Sequence, residues 1–132
     1  MDILIDASAI MSVLVNEAEK DFIINVTRNC NLLTPSILPY EIGNALTRLR
    51  KRQLLKEQEI MIVFNDFKKI PLRMVEADIE KALEIACRFT IYAYDAYYLE
   101  IAQRLNLPVL SLDKPLIGTA LSLNLKLLGA VK

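Results

Sequence analysis

The chain has 132 residues, 54% of them apolar, with 16 basic side chains against 16 acidic ones and no histidine. That length fits one compact domain with its own core; the even charge balance excludes a generally basic nucleic-acid coat, though not a local basic patch. Without histidine there is no Ser-His-Asp triad, no histidine base and no His-ligated zinc, so acid–base or metal chemistry falls to carboxylates.

Residues 2–6 read as a buried strand, too short and too uniformly apolar for an amphipathic helix. Helices are expected over 8–15 and 18–29, and "NLLT" (31–34) is a second short strand closed by Pro35. A helix then runs from about Leu38 to Gln53, with Pro39 suited to its first turn, and another spans about Lys56 to Lys69. "PLRMVE" (71–76) is a third strand, and Asp78 caps a helix from Ile79 to about Phe89. A helix over Tyr94 to Leu105 follows. "PVLSLD" (108–113) is a fourth strand, 115–123 is helical, and "KLLGAV" (126–131) offers a short last strand. Short apolar strands alternating with helices imply an α/β fold, a parallel sheet covered on both faces. No linker or internal repeat divides the chain, so 1–132 reads as a single domain.

The mean hydropathy of +0.32 is high for a soluble monomer. Either the core is large or a partner covers apolar surface. A homodimer is expected through Ile10, Met11, Val13 and Leu14 together with Ile60, Met61, Ile62, Val63 and Phe64. Cys30 and Cys87 form no Cys-x-x-Cys pair, the N-terminus lacks a positive leader pattern, and no apolar stretch approaches a membrane span. A reduced cytoplasmic protein with no membrane association is the expectation.

Four acids stand where core packing does not ask for them. Asp6 ends the first strand and Asp113 the fourth; Glu41 and Asp95 open helices among apolar neighbours. Each has a plain alternative: a helix cap for Asp6, a first-turn charge for Glu41 and Asp95, a turn residue for Asp113. Their coincidence favours a site, because ligands of open α/β sheets bind beyond the carboxyl ends of the strands. Four converging carboxylates repel, and their pKa values rise unless a cation neutralises them. Hard oxygen ligands suit Mg²⁺ or Mn²⁺, and such an ion serves phosphodiester hydrolysis.

The segments "LIDASAI", "LPYEIGNAL" and "YAYDAYYLEIAQRLNLPVLSLDKPL" resemble a PIN-domain protein of the VapC toxin-ribonuclease type over nearly the whole chain. The resemblance matches Asp6 and Ser8 to that family's first acid and its hydroxyl neighbour, Glu41 and Asn44 to its helix acid and asparagine, and Asp95 and Asp113 to its third and fourth acids. It implies a PIN-like three-layer fold with about five parallel strands. It also implies a Mg²⁺- or Mn²⁺-dependent endoribonuclease, homodimers, and a small antitoxin that also binds DNA. On it, Asp6, Glu41 and Asp95 bind the metal directly or through water, and Asp113 completes the site or binds a second ion.

Supporting roles are open. Ser8 bonds a metal water or a phosphate, or is a plain helix-start hydroxyl; Asn44 orients Glu41 or a phosphate, or lies on the helix surface. Arg48, on the face of Glu41, and Lys114, beside Asp113, are candidates for the RNA backbone, whereas Arg50, Lys51 and Arg52 suit the helix dipole. Tyr97 and Tyr98 are expected in the core, with Tyr92 or Tyr94 within reach of a base. Three rivals are an RNA-processing or ribosomal-RNA-maturation nuclease, a non-catalytic scaffold binding RNA or protein, and an aspartyl-phosphate phosphatase. The scaffold has no reason to keep four repelling acids, and the phosphatase needs a second aspartate where Ser8 stands.

Overall fold

A computed structural model describes residues 1–129. The elements in chain order are β1 (Asp2–Ile5), α1 (Ala7–Leu14), α2 (Lys20–Thr27), β2 (Asn31–Pro35), α3 (Leu38–Lys51), α4 (Glu57–Lys68), β3 (Leu72–Val75), α5 (Ile79–Phe89), α6 (Ala93–Leu105), β4 (Val109–Leu110) and α7 (Lys114–Ser122). Every expected helix and strand up to residue 123 is present, with ends shifted by a few residues. Asp78 caps α5 as the sequence indicates, its Oδ1 accepting from the Lys81 amide at 3.2 Å.

The sheet is parallel throughout, in the order β3-β2-β1-β4. Ile3, Leu4 and Ile5 of β1 are at most 1% exposed. Side chains on consecutive strand residues point to opposite faces, so both faces of β1 are covered. That explains why β1 is a continuous apolar run instead of an alternating one. Helices flank the sheet. α6 packs on β1 and β2 and is joined by α5 and α7; α1 packs against α2, α3 and α4. The "about five strands" expectation resolves into four among the described residues plus one parallel bridge from Val109 to Leu127. Hydrogen bonds from the Val109 amide to the Lys126 carbonyl and from the Leu128 amide to the Val109 carbonyl hold that fifth position. Residues 130 and 131 of the expected last strand lie outside the described residues.

The strand order sets the place of the site. From β1 the chain crosses to β2 and β3 on one side; β4 returns to pair with β1 on the other. The carboxyl ends of β1 and β4 therefore form the switch point where connections diverge and a crevice opens.

The dimer expectation needs correcting in its residues. Ile10 and Met11 are 3% and 8% exposed, and Val13 and Leu14 pack against the same core. Ile10 and Met11 fill the α1 packing of this chain and offer a second copy no surface, while Val13 and Leu14 are partly buried. On α4, Ile60, Val63 and Phe64 turn inward, leaving Met61 and Ile62 exposed, which is the ordinary outcome of helical periodicity. Cys30 and Cys87 are both free. Among the described residues no helix is long and apolar enough to cross a membrane.

Candidate active site

Asp6 leaves β1 in an extended conformation and caps α1. Its Oδ1 accepts from the Ala9 amide at 3.0 Å and from the Ser8 hydroxyl at 2.7 Å; its Oδ2 accepts from the Ser111 hydroxyl at 2.5 Å. The two serines reach back to the other strand exit, where Ser8 Oγ accepts from the Leu112 amide and Ser111 Oγ from the Asp113 amide, each at 2.9 Å. A small network thus locks the ends of β1 and β4 together around one buried carboxylate. Asp6 thus caps α1, and the same residue lines the cavity described next.

Glu41 lies in the first turn of α3, and its Oε1 accepts from the Tyr98 hydroxyl at 2.6 Å. Asp95 lies in the first turn of α6, and Asp113 precedes α7 at its N-cap position but makes no capping bond. All four acids line one cavity of about 1320 Å³. Ser8, Asn44 and Arg48 line it too; Lys114 is exposed and stands outside the lining.

Electrostatics ties the four together. Burial is the main cause that raises the Asp6 carboxyl above its ordinary range, against the opposing pull of Ser111, Ala9 and Ser8, and the Asp113 charge adds to it. Glu41 is raised by burial and then by the charges of Asp6 and Asp95, with the Tyr98 bond pulling the other way. Asp95 is raised to about 6 by burial, then by Asp113 and Asp6.

Two residues of the site escaped the sequence reading. Tyr98 is buried as expected, yet its hydroxyl holds Glu41, the role considered for Asn44. Tyr98 follows Asp95 by three residues, a same-face spacing that pointed to it. Ser111 lies inside the strand expected over 108–113; a hydroxyl two residues before an acid, mirroring Asp6 and Ser8, is its signal in the sequence. Ser8 is also more committed than a free hydroxyl: its proton goes to Asp6 and it accepts from the β4 exit.

The donor set is all oxygen and all carboxylate, the chemistry of a hard divalent ion. Among the described residues no three acidic or cysteine side chains close into a ready cage. Carboxylates spread around an open cavity fit an ion that keeps several waters and takes only one or two direct protein ligands, as Mg²⁺ does.

The model of the family described as "PIN domain" matches residues 3–127. The chain belongs to the PIN-domain family. This PIN domain is 27% identical over 121 residues to Ribonuclease VapC3 of Pyrobaculum aerophilum, covering 88% of the chain and 92% of the relative. Its fold matches the crystal structure of Mycobacterium tuberculosis VapC20, a sarcin-ricin-loop-cleaving toxin, with a TM-score of 0.63 at 10% identity over 88% of this chain and 93% of that one. It also matches VapBC2 of Rickettsia felis bound to a DNA fragment from their promoter, with a TM-score of 0.64 at 13% identity over 96% of this chain and 97% of that one. Nucleases of the PIN family generally work with divalent metal ions.

Proposed function

We propose that this PIN domain is an endoribonuclease that hydrolyses RNA phosphodiester bonds with Mg²⁺ or Mn²⁺, and that it is the toxin of a toxin–antitoxin pair. The observation that carries the reading is the set of four carboxylates, from two strand exits and two helix starts, facing one cavity, three of them pushed toward higher pKa. A fold with no use for a cation has no reason to sustain that cost. The likeness to Ribonuclease VapC3 and to the fold of a VapBC complex supports the toxin role and an antitoxin protein as partner. The free cysteines suit a reducing, cytoplasmic setting. The exposed Met61 and Ile62 are the remaining candidates for a homodimer contact.

Asp6, Glu41 and Asp95 would hold the ion, with Asp113 completing the set. A bound ion lowers the pKa of a water and offsets charge on the phosphoryl oxygens. The chain's own part is orientation. Two serine hydroxyls fix the Asp6 carboxylate, and the Tyr98 hydroxyl fixes Glu41 Oε1 and leaves Oε2 for the cavity. Asp95 and Asp113 accept no side-chain hydrogen bond among the described residues, so both remain available. Arg48, one face with Glu41 and on the cavity wall, supplies a cation to the RNA backbone.

The test is cleavage of RNA by the purified protein. EDTA should abolish it, and added Mg²⁺ or Mn²⁺ should restore it. Cleavage undiminished by EDTA would remove the metal-assisted reading. Glu41→Gln, which keeps shape and the Tyr98 bond, should cut at least 100-fold more slowly, a loss on the order of 3 kcal/mol in the barrier.

A further inference from the structure

Two tyrosines stand beside the acids without serving the core. Tyr40 immediately precedes Glu41 on α3, and Tyr94 immediately precedes Asp95 on α6. They are 76% and 55% exposed, and both line the acid cavity. Tyr92, the other exposed tyrosine of this region, is not in that lining. Neither ring belongs to the hydrophobic core, so core packing does not account for large aromatic side chains left in water beside a polar, acidic floor. Tyr94 is also pre-set: Tyr97 packs against it edge to face, with centroids 6.1 Å apart and planes at 82°. A ring braced in this way keeps its orientation at little entropic cost.

We infer that Tyr40 and Tyr94 are stacking platforms that hold the unpaired bases next to the phosphate presented to Glu41 and Asp95. The inference rests on the nuclease reading above and adds two base-contacting residues to it. Every base offers a π-face, whereas a base paired inside an A-form helix does not. Placing one platform directly before each of two site acids couples base seating to phosphate position. Acid repulsion then does not have to be overcome by backbone contacts alone. Arg48 and Arg52, which line the same cavity and form no ion pair among the described residues, supply the phosphate contacts on the α3 side.

The experiment measures binding and cleavage separately. A short unstructured RNA carrying 2-aminopurine is titrated with the full chain in EDTA at low salt, where no metal-dependent cutting occurs. Wild type should quench the fluorophore by stacking. Tyr40→Ala and Tyr94→Ala should each weaken binding about 5- to 100-fold and reduce the quench. Tyr40→Phe and Tyr94→Phe should retain both, because the ring and not the hydroxyl stacks. The same sequence in a duplex should bind less tightly than the single strand. Both positions are exposed, so melting temperatures should stay within a few degrees of wild type.

Alanine variants that bind and quench like wild type, while wild type still cuts RNA with metal, would overturn this inference and leave the nuclease reading standing. Phenylalanine variants as weak as alanine would also overturn it, by showing that the hydroxyl is what binds. Unchanged RNA binding with lost antitoxin binding would assign the tyrosines to a protein partner instead. A wild type that neither binds RNA nor cuts it with Mg²⁺ or Mn²⁺ would sink the nuclease reading itself.

Discussion

Replacing Asp95 by Asn isolates the cost of the acidic cluster. The side chains have the same shape, and among the described residues Asp95 makes no side-chain hydrogen bond that asparagine would lose. Burial and the neighbouring charges of Asp113 and Asp6 raise its carboxyl from 3.8 to about 6. Taken at face value, about two pKa units are worth about 3 kcal/mol. Asp95 is only partly buried, and solvent screening reduces this to about 1–1.5 kcal/mol. Loss of a first-turn charge from α6 works the other way, by about 0.3–1 kcal/mol. The net is a metal-free Asp95→Asn protein more stable than wild type near pH 8 by about 0.6 kcal/mol at the middle of these ranges and about 1.2 kcal/mol at most, a melting increase of about 2–5 °C.

The pH dependence carries a definite sign. A folded pKa above the unfolded one means the folded state holds the proton more tightly, so the wild-type penalty is complete above about pH 7. It fades as pH falls through about 6 and is gone below about pH 4, where wild type and variant should melt alike as far as this site is concerned. Calorimetry in EDTA across that range reads the effect directly. Adding Mg²⁺ or Mn²⁺ should then reverse the ranking, because only the intact cluster gains fully from an ion bound to the folded state. A variant that melts below wild type in EDTA at pH 8, or a difference that persists unchanged at pH 4, would refute the reasoning: Asp95 would then have a stabilising partner.

Asp6→Asn should keep the α1 cap and stay within about 1 kcal/mol of wild type, whereas Asp6→Ala loses the cap and strands two serine hydroxyls, costing about 2–3 kcal/mol by denaturant titration; both should stop cleavage. Tyr98→Phe removes one proton donor, so the Glu41 carboxyl should titrate still higher by NMR and ion affinity should fall, with a stability loss of about 1–2 kcal/mol. Away from the site, Glu100 is 2% exposed and accepts from the Asp78 amide and the Arg104 guanidinium. Glu100→Ala should cost about 2–4 kcal/mol in stability with the cleavage rate of the folded fraction unchanged.

Most of the fold was readable because β1 announces itself: a fully apolar run stopped by an acid has few other meanings in an alternating α/β pattern. Asp6, Glu41, Asp95 and Asp113 were readable for the same reason, as charges placed against local hydrophobicity. What the sequence concealed depends on contacts distant in the chain. Ser111 bonds a residue 105 positions away, and Tyr98 one 57 positions away; no local spacing encodes either partner. Ile10 and Met11 were misjudged as surface because apolar content alone does not say which face of α1 turns inward. Among the described residues the fifth strand amounts to a bridge at Leu127, set against a two-residue β4.

The lock between the β1 and β4 exits has a consequence for when activity can begin. Asp6 is synthesised 105 residues ahead of its Ser111 partner, and Asp113 comes later still. Until then the emerging chain lacks the Ser111 hydroxyl, one of the two that fix Asp6, and the last carboxylate of the set. β4 cannot join β1 until every element between them has been made. On the proposed function, an RNA-cutting protein born amid RNA therefore stays harmless to its own template until β4 has been made, by topology alone and with no inhibitor present.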